Sequence, residues 1–109
     1  MERRIKTYGG YFEAFLATLD EKVRRKIYYG LDLLKFQDII SRKFVKYIKD
    51  GLFELRTEWE GNIYRVFFIF DGDKIVVLFN GFQKKTQKTP VSEIDKALKI
   101  KKEYYDNRR

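Results

Sequence analysis

Lys84, Lys85 and Lys88 fall together in "KKTQKTP", directly after the apolar run "KIVVLFNGF", and no acidic residue occurs between Lys74 and Ser92. A turn that closes a core strand needs no such cluster. Two arginines precede it at strand-like positions, Arg56 in "LFELRTEW" and Arg65 in "IYRVFFIF". A guanidinium keeps its charge and grips phosphate oxygens through paired N–H bonds. Lysines set side by side disfavour one another's protonation, which tunes one of them toward acid or base work. The chemistry these types suit is binding to a phosphate chain and metal-free attack on it. Arg65 stands between Ile63 and Phe67 on an apolar strand face, so it needs a partner or an opening to water. Arg56 has carboxylates in Glu54 and Glu58 two residues to either side, and an ion pair with one of them is its plainer reading. A solvated loop is the plainer reading of the lysines.

The composition narrows the chemistry further. The chain of 109 residues contains no histidine and no cysteine. Thiolate and imidazole metal sites and disulfides are thereby excluded, no cofactor is expected, and a reducing cytoplasm is the natural compartment. Proton transfer would fall to Lys, Arg, Tyr or carboxylates. The net charge is +8, which favours a polyanionic partner. Its distribution says more than its size. Residues 20–50 hold nine bases and five acids, residues 51–73 two bases and five acids, and the tract from Lys74 to Ser92 four lysines alone. Positive charge therefore flanks a mildly acidic hairpin, as it would line a cleft. The exposed side of the second helix, with Lys22, Arg24, Arg25 and Lys26, is a solvated face that can also meet RNA backbone.

The elements that must position these groups are legible from periodicity. The length suits one domain, 1–109. "RRIKTY" reads as a short first strand. "YFEAFLATL" sets Phe12, Phe15, Leu16 and Leu19 at helical spacing, and "TLDEKVRRKI" offers Thr18 and Glu21 as a capping box for a second helix with Val23, Ile27, Leu31 and Leu34 on its apolar side. After a polar stretch, 41–51, the period becomes two: Phe53, Leu55, Thr57 and Trp59 share one face, Leu52, Glu54, Arg56 and Glu58 the other. "EGN" and "DGD" are hairpin turns joining this strand to "IYRVFFIF" and "KIVVLFNGF", which are apolar on both faces and hence central. Thr89 and Pro90 predict the start of a last helix packed through Val91, Ile94, Leu98 and Tyr105. The longest apolar run, Val66 to Phe70, is too short to span a bilayer, and "MERRIKTYGG" has no apolar segment behind its charges, so no signal peptide is expected.

Four motifs in order carry a resemblance: Gly51-Leu52-Phe53-Glu54-Leu55-Arg56, Tyr64-Arg65-Val66, Gly81 through Pro90, and Glu93-Ile94-Asp95-Lys96-Ala97. Together with "LDEKVRRKI" they resemble the RelE/ParE superfamily of bacterial toxins, most closely its HigB-like, phage-associated branch. The resemblance implies an α+β fold: a twisted antiparallel sheet, made of a short N-terminal strand and a three-stranded meander, packed with an N-terminal helical hairpin and a C-terminal helix. It implies a type II toxin that is neutralised by an antitoxin encoded in the adjacent gene, here expected to be a helix-turn-helix protein forming a hetero-oligomer with it.

Many members of that superfamily cut mRNA in the ribosomal decoding site, whereas the ParE branch poisons DNA gyrase, and fold alone does not choose between them. Cleavage requires that a 2′-hydroxyl lose its proton, that charge on phosphorus be stabilised and that the leaving 5′-oxygen gain a proton. By family position Arg65 matches an arginine on the scissile phosphate and Lys85 a basic catalytic residue after the last strand; Arg56 and Lys84 are their neighbours. Lys88, Lys22, Arg25 and Lys26 are the expected RNA-binding positions. The chain departs from the RelE pattern where two strand lysines are replaced by Leu52 and Glu54 and a tyrosine by Val91; Tyr64 or Glu54 are the candidates to compensate. The expected partners are the ribosome, mRNA and the antitoxin, with no membrane. A gyrase inhibitor, or a degenerate phage-derived domain that binds nucleic acid without cutting it, stands as the alternative.

Overall fold

The computed structural model describes residues 2–84 and 89–108. Its elements are β1 (Arg4–Thr7), α1 (Tyr11–Ala17), α2 (Glu21–Phe36), β2 (Val45–Lys49), β3 (Leu52–Trp59), β4 (Asn62–Asp71), β5 (Ile75–Lys84) and α3 (Val91–Asn107). One five-stranded sheet runs in the order β1-β5-β4-β3-β2. The α+β architecture is the expected one, with two differences in the sheet. The polar stretch contains an edge strand, β2, antiparallel to β3. Its sequence, VKYIK, hides it: the pairing is irregular between Tyr47 and Lys49, and the lysines suit an edge rather than an alternating buried face. β1 pairs parallel, not antiparallel, with β5, Ile5 opposite Val76 and Thr7 opposite Leu78. A strand of four residues carries no mark of its pairing direction.

β4 and β5 are covered on both faces, as their two-sided apolar sequences require. On one face α1 and α2 bury Phe12, Leu16, Val23, Ile27, Leu31 and Leu34 against Leu55, Val66, Phe68 and Leu78. On the other, Ala97, Ile100 and Tyr104 of α3 pack on Leu52, Phe67, Ile69, Val77 and Phe79. The α3 stripe thus differs from the expected one. Ile94 and Leu98 pack at its margin, but Val91 and Tyr105 are exposed because the helix turns Ala97, Ile100 and Tyr104 to the sheet. None of the described helices is long and apolar enough to cross a membrane.

The helix starts also differ from expectation. Asp20, not Thr18, caps α2, its carboxylate accepting from Lys22 N at 2.9 Å and Val23 N at 3.3 Å. Thr18 lies two residues too far back; its hydroxyl donates to Phe15 O at 2.7 Å and closes α1. Pro90 is the residue before α3 rather than its first turn, and no side chain among the described residues caps that helix. Thr89 is engaged elsewhere, as described below. The hairpin turns are as read: Trp59 pairs with Asn62 across Glu60 and Gly61, both at positive φ (50° and 79°), the conformation a two-residue turn of right-handed twist demands.

Candidate functional site

That two-residue turn fixes the register of β3 on β4, and the register brings the arginines together. Arg56 stands directly opposite Arg65, with Glu54 opposite Phe67 and Glu58 opposite Ile63. Strand alternation puts Glu54, Arg56 and Glu58 on one face, as expected. It is the face that carries α3, since Leu52 and Phe67 belong to the core under that helix.

The two arginines live in different surroundings. Arg65 is 4% exposed and its Nη1 donates to Glu54 Oε2; Glu54 is wholly buried. A buried charge needs both a counter-charge and hydrogen bonds for its remaining oxygens. The second Glu54 oxygen, Oε1, receives one from Thr89 Oγ1 at 3.0 Å. Arg56 is partly exposed. Its Nη2 meets Glu58 Oε1 at 2.5 Å in a pair open to water on the glutamate side, and its backbone N–H donates to Phe44 O at 2.7 Å. The Nε of each arginine is buried without a hydrogen-bond partner among the described residues.

The lysine segment borders this cluster at both of its ends. The backbone of Lys84, the last residue of β5, pairs opposite Ile63, two residues before Arg65 on β4. At the far end Thr89 is bound to the carboxylate that holds Arg65. Lys85 and Lys88 lie outside the described residues, and of Lys84 only the backbone is described. A further polar contact flanks the entry to α3, where buried Asn80 Nδ2 donates to Glu93 Oε1 at 3.4 Å.

Lys22, Arg25 and Lys26 are exposed on α2, against the opposite face of the sheet, in the stripe that Tyr29 continues. The Lys26 ammonium lies 5.7 Å from the centre of the Trp59 ring, and Arg25 pairs with Glu21 at 2.8 Å. They do not join the Arg65 cluster. Lys26 reaches Arg56 alone, across a cavity of about 230 Å³ that both residues line along with Tyr29 and Lys43. Among the described residues, Arg56 is thus the cation that links the two regions. Tyr64 is buried with the residues under α1 and α2, away from Arg65. Among the described residues, no three carboxylates gather as a metal site would require.

Sequence reasoning missed Glu54 as the partner of Arg65, and Thr89 as the partner of Glu54. The first had a signal: with the two-residue turn at 60–61, Glu54 falls diagonally across from Arg65. The second had none, because it joins residues 35 positions apart through a tertiary contact.

Residues 14–102 match the model of a family described as Phage derived protein Gp49-like (DUF891). No curated protein matches the chain. Among solved structures, the fold is similar to a chain in the archaeal RelE–RelB complex from Pyrococcus horikoshii OT3. The TM-score is 0.55 at 21% identity, over 74% of this chain and 93% of that one. At that identity the likeness shows the fold.

Proposed function

The chain belongs to the phage-derived Gp49-like family, which is of the RelE/HigB toxin type, and on that footing we propose that it is the toxin of a type II toxin–antitoxin pair, stopping translation by metal-independent cleavage of mRNA on the ribosome. The observation that carries this reading is where the residues that bracket the lysine segment lie. Both of its ends adjoin the one sheet region where two arginines face each other. Arginines from two neighbouring strands and the two ends that bracket the segment, the Lys84 backbone and Thr89, thereby border the same place.

In the proposed mechanism Arg56, the accessible arginine, grips the scissile phosphate once it leaves Glu58. Arg65 adds charge from within the sheet while Glu54 holds it in position. Lys84, Lys85 and Lys88 surround the phosphate, and one of these lysines exchanges the protons that the 2′-hydroxyl loses and the 5′-oxygen gains. Glu54 has both oxygens occupied, and Tyr64 lies in the core beneath α1 and α2, so neither takes part in proton transfer. The whole chain acts as one toxin domain in the cytoplasm, where ribosomes are. Its antitoxin, a helix-turn-helix protein from the neighbouring gene, restrains it in a hetero-oligomer. The similarity to a RelE chain in complex with RelB supports such a partner.

Primer extension on translated mRNA after induced expression tests the reading. Cuts within codons are expected from the native chain and none from Arg56→Ala. Uncut mRNA together with trapped, cleaved DNA would replace it with gyrase poisoning. Uncut mRNA with normal growth would leave a domain that binds without cutting.

A further inference from the structure

β2 covers the outer edge of β3 only as far as Leu55, with one more bond from Arg56 N to Phe44 O. Past that point the edge of β3 runs on beside α2 without β2, and a groove opens between them. Two adjoining cavities fill it. The wider, about 430 Å³, is lined by Lys22, Arg25, Lys26, Tyr29 and Trp59. The narrower, about 230 Å³, shares Lys26 and Tyr29 and continues to Lys43 and Arg56.

We propose that this groove is a second binding site, a track for single-stranded RNA in which Trp59 and Tyr29 stack on bases and Lys22, Lys26 and Lys43 hold phosphates. Lys22, Arg25, Lys26 and Tyr29 follow one another at helical spacing along one stripe of α2, turned away from the buried Val23, Ile27 and Leu31. The stripe stays at the surface, where Tyr29 meets the Phe44 ring edge-on with centroids 6.3 Å apart. Its carboxylates are spoken for: Glu21 is bound to Arg25 and Glu58 to Arg56. Lys22, Lys26 and Lys43 form no ion pair among the described residues. Tyr29 leaves 57% of its surface in water, and the Trp59 ring, which packs against the core in part, has the Lys26 ammonium 5.7 Å from its centre. Cations that follow a backbone, interleaved with aromatic faces, are what single strands bind, because every base presents a ring face. Duplex RNA offers phosphates and ribose but no free base faces. The track rests on the reading of the chain as an RNA-directed toxin, and its lining by Arg56 leads the strand to the proposed cleavage site.

Trp59 is the only tryptophan, so its emission reports on the groove directly. Titrating the purified protein with a short oligouridylate should quench it saturably. Three lysine–phosphate contacts should make the logarithm of affinity fall with the logarithm of salt at a slope of about −2. Lys26→Ala and Lys43→Ala should each flatten that slope, and Tyr29→Ala should weaken binding about tenfold. A short RNA duplex should leave the emission unchanged. All the substituted residues are exposed, so circular dichroism should match the native protein. No quenching at low salt, or quenching indifferent to Lys26→Ala and Tyr29→Ala, overturns the track. So does quenching by a glutamate-rich helical peptide but not by the oligonucleotide, which would give the groove to a protein partner. Intracellular mRNA cuts with a silent groove would remove the track and leave the toxin reading; quenching without cuts would do the reverse.

Discussion

Arg56 and Arg65 stand opposite each other on neighbouring strands, yet each is bound to a different carboxylate, Glu58 in water and Glu54 in the core. Like charges directly across a sheet destabilise it unless they are neutralised. Here neutralisation takes two forms with different consequences. The exposed pair can open at little cost and free its guanidinium for a ligand. The buried pair cannot open without stranding a charge. One arginine can leave its carboxylate without stranding a buried charge, and its neighbour cannot.

Arg56→Ala should therefore leave folding nearly unchanged, by less than about 1 kcal/mol, because an exposed ion pair contributes little. Toxicity on induced expression should be lost all the same. Arg56→Lys should restore charge but not toxicity, since a point charge does not reproduce the two-pronged grip on phosphate. Growth curves paired with urea unfolding of each variant measure both effects.

Arg65→Ala should behave differently. It leaves Glu54 buried and unpaired, which costs about 3–5 kcal/mol. Loss of toxicity in this variant will then be accompanied by a lowered unfolding midpoint, and the two must be measured together. The double variant Arg65→Met, Glu54→Leu removes both charges and should regain most of the stability while remaining inactive. If Arg65→Ala unfolds like the native chain, the pair does not hold the sheet in the way described.

How far this cluster was legible in the sequence depends on the range of each contact. The apolar stripe of α2 repeats over four turns, so Val23, Ile27, Leu31 and Leu34 declared themselves, and so did the two faces of β3. The turn at Glu60 and Gly61 fixed the register, so the opposition of Arg56 and Arg65 follows from counting along the strands. The edge strand β2 escaped because its lysines and irregular pairing break the alternation that marks a half-buried strand. Thr18 and Thr89 were both misjudged as helix caps, for the same physical reason. A hydroxyl takes whichever acceptor the tertiary structure brings near, and each found one outside the helix it precedes.

Thr89 gives the next test. Thr89→Val keeps the side-chain shape but leaves Glu54 Oε1 without its donor in a buried site, a loss of about 1–3 kcal/mol. Thr89→Ser keeps the hydroxyl and should lose much less. If the contact also positions the lysine segment, Thr89→Val should reduce mRNA cutting at temperatures where it remains folded, and Thr89→Ser should not. Unfolding midpoints beside primer extension for the two variants separate the effects.

Gly81 is required by a close approach rather than by its backbone angles. A Cβ built there would stand 2.6 Å from Phe15 Cε2, inside the contact by which α1 rests on β5. Gly81→Ala should cost about 1–3 kcal/mol through overpacking. Adding Phe15→Leu should recover part of that loss, a coupling that urea unfolding of the single and double variants will show. Additive losses would mean that the ring is not the obstacle.

The end of α3 is clasped to the turn between β4 and β5, and this clasp should be read in acid. Arg108 Nη1 donates to Asp71 Oδ1, and Tyr104 Oη donates to Asp71 Oδ2 at 2.6 Å. The Arg108 bond, with that of Tyr104 second, holds the Asp71 carboxyl below its ordinary value. A carboxyl with a lower pKa in the folded state than in the unfolded chain stabilises the fold fully above the unfolded value, about 3.9. That contribution fades as pH drops from there through the folded value. Asp71→Asn should accordingly be less stable than the native chain near neutrality, and the gap should close in acid below the ordinary aspartate range. Because Arg108 is about half exposed, with 48% of its side chain in water, salt should narrow the neutral-pH gap as well. Thermal melts across pH, at low and high salt, measure this directly; a gap that stays constant into acid would mean that the clasp does not contribute through the charge on Asp71.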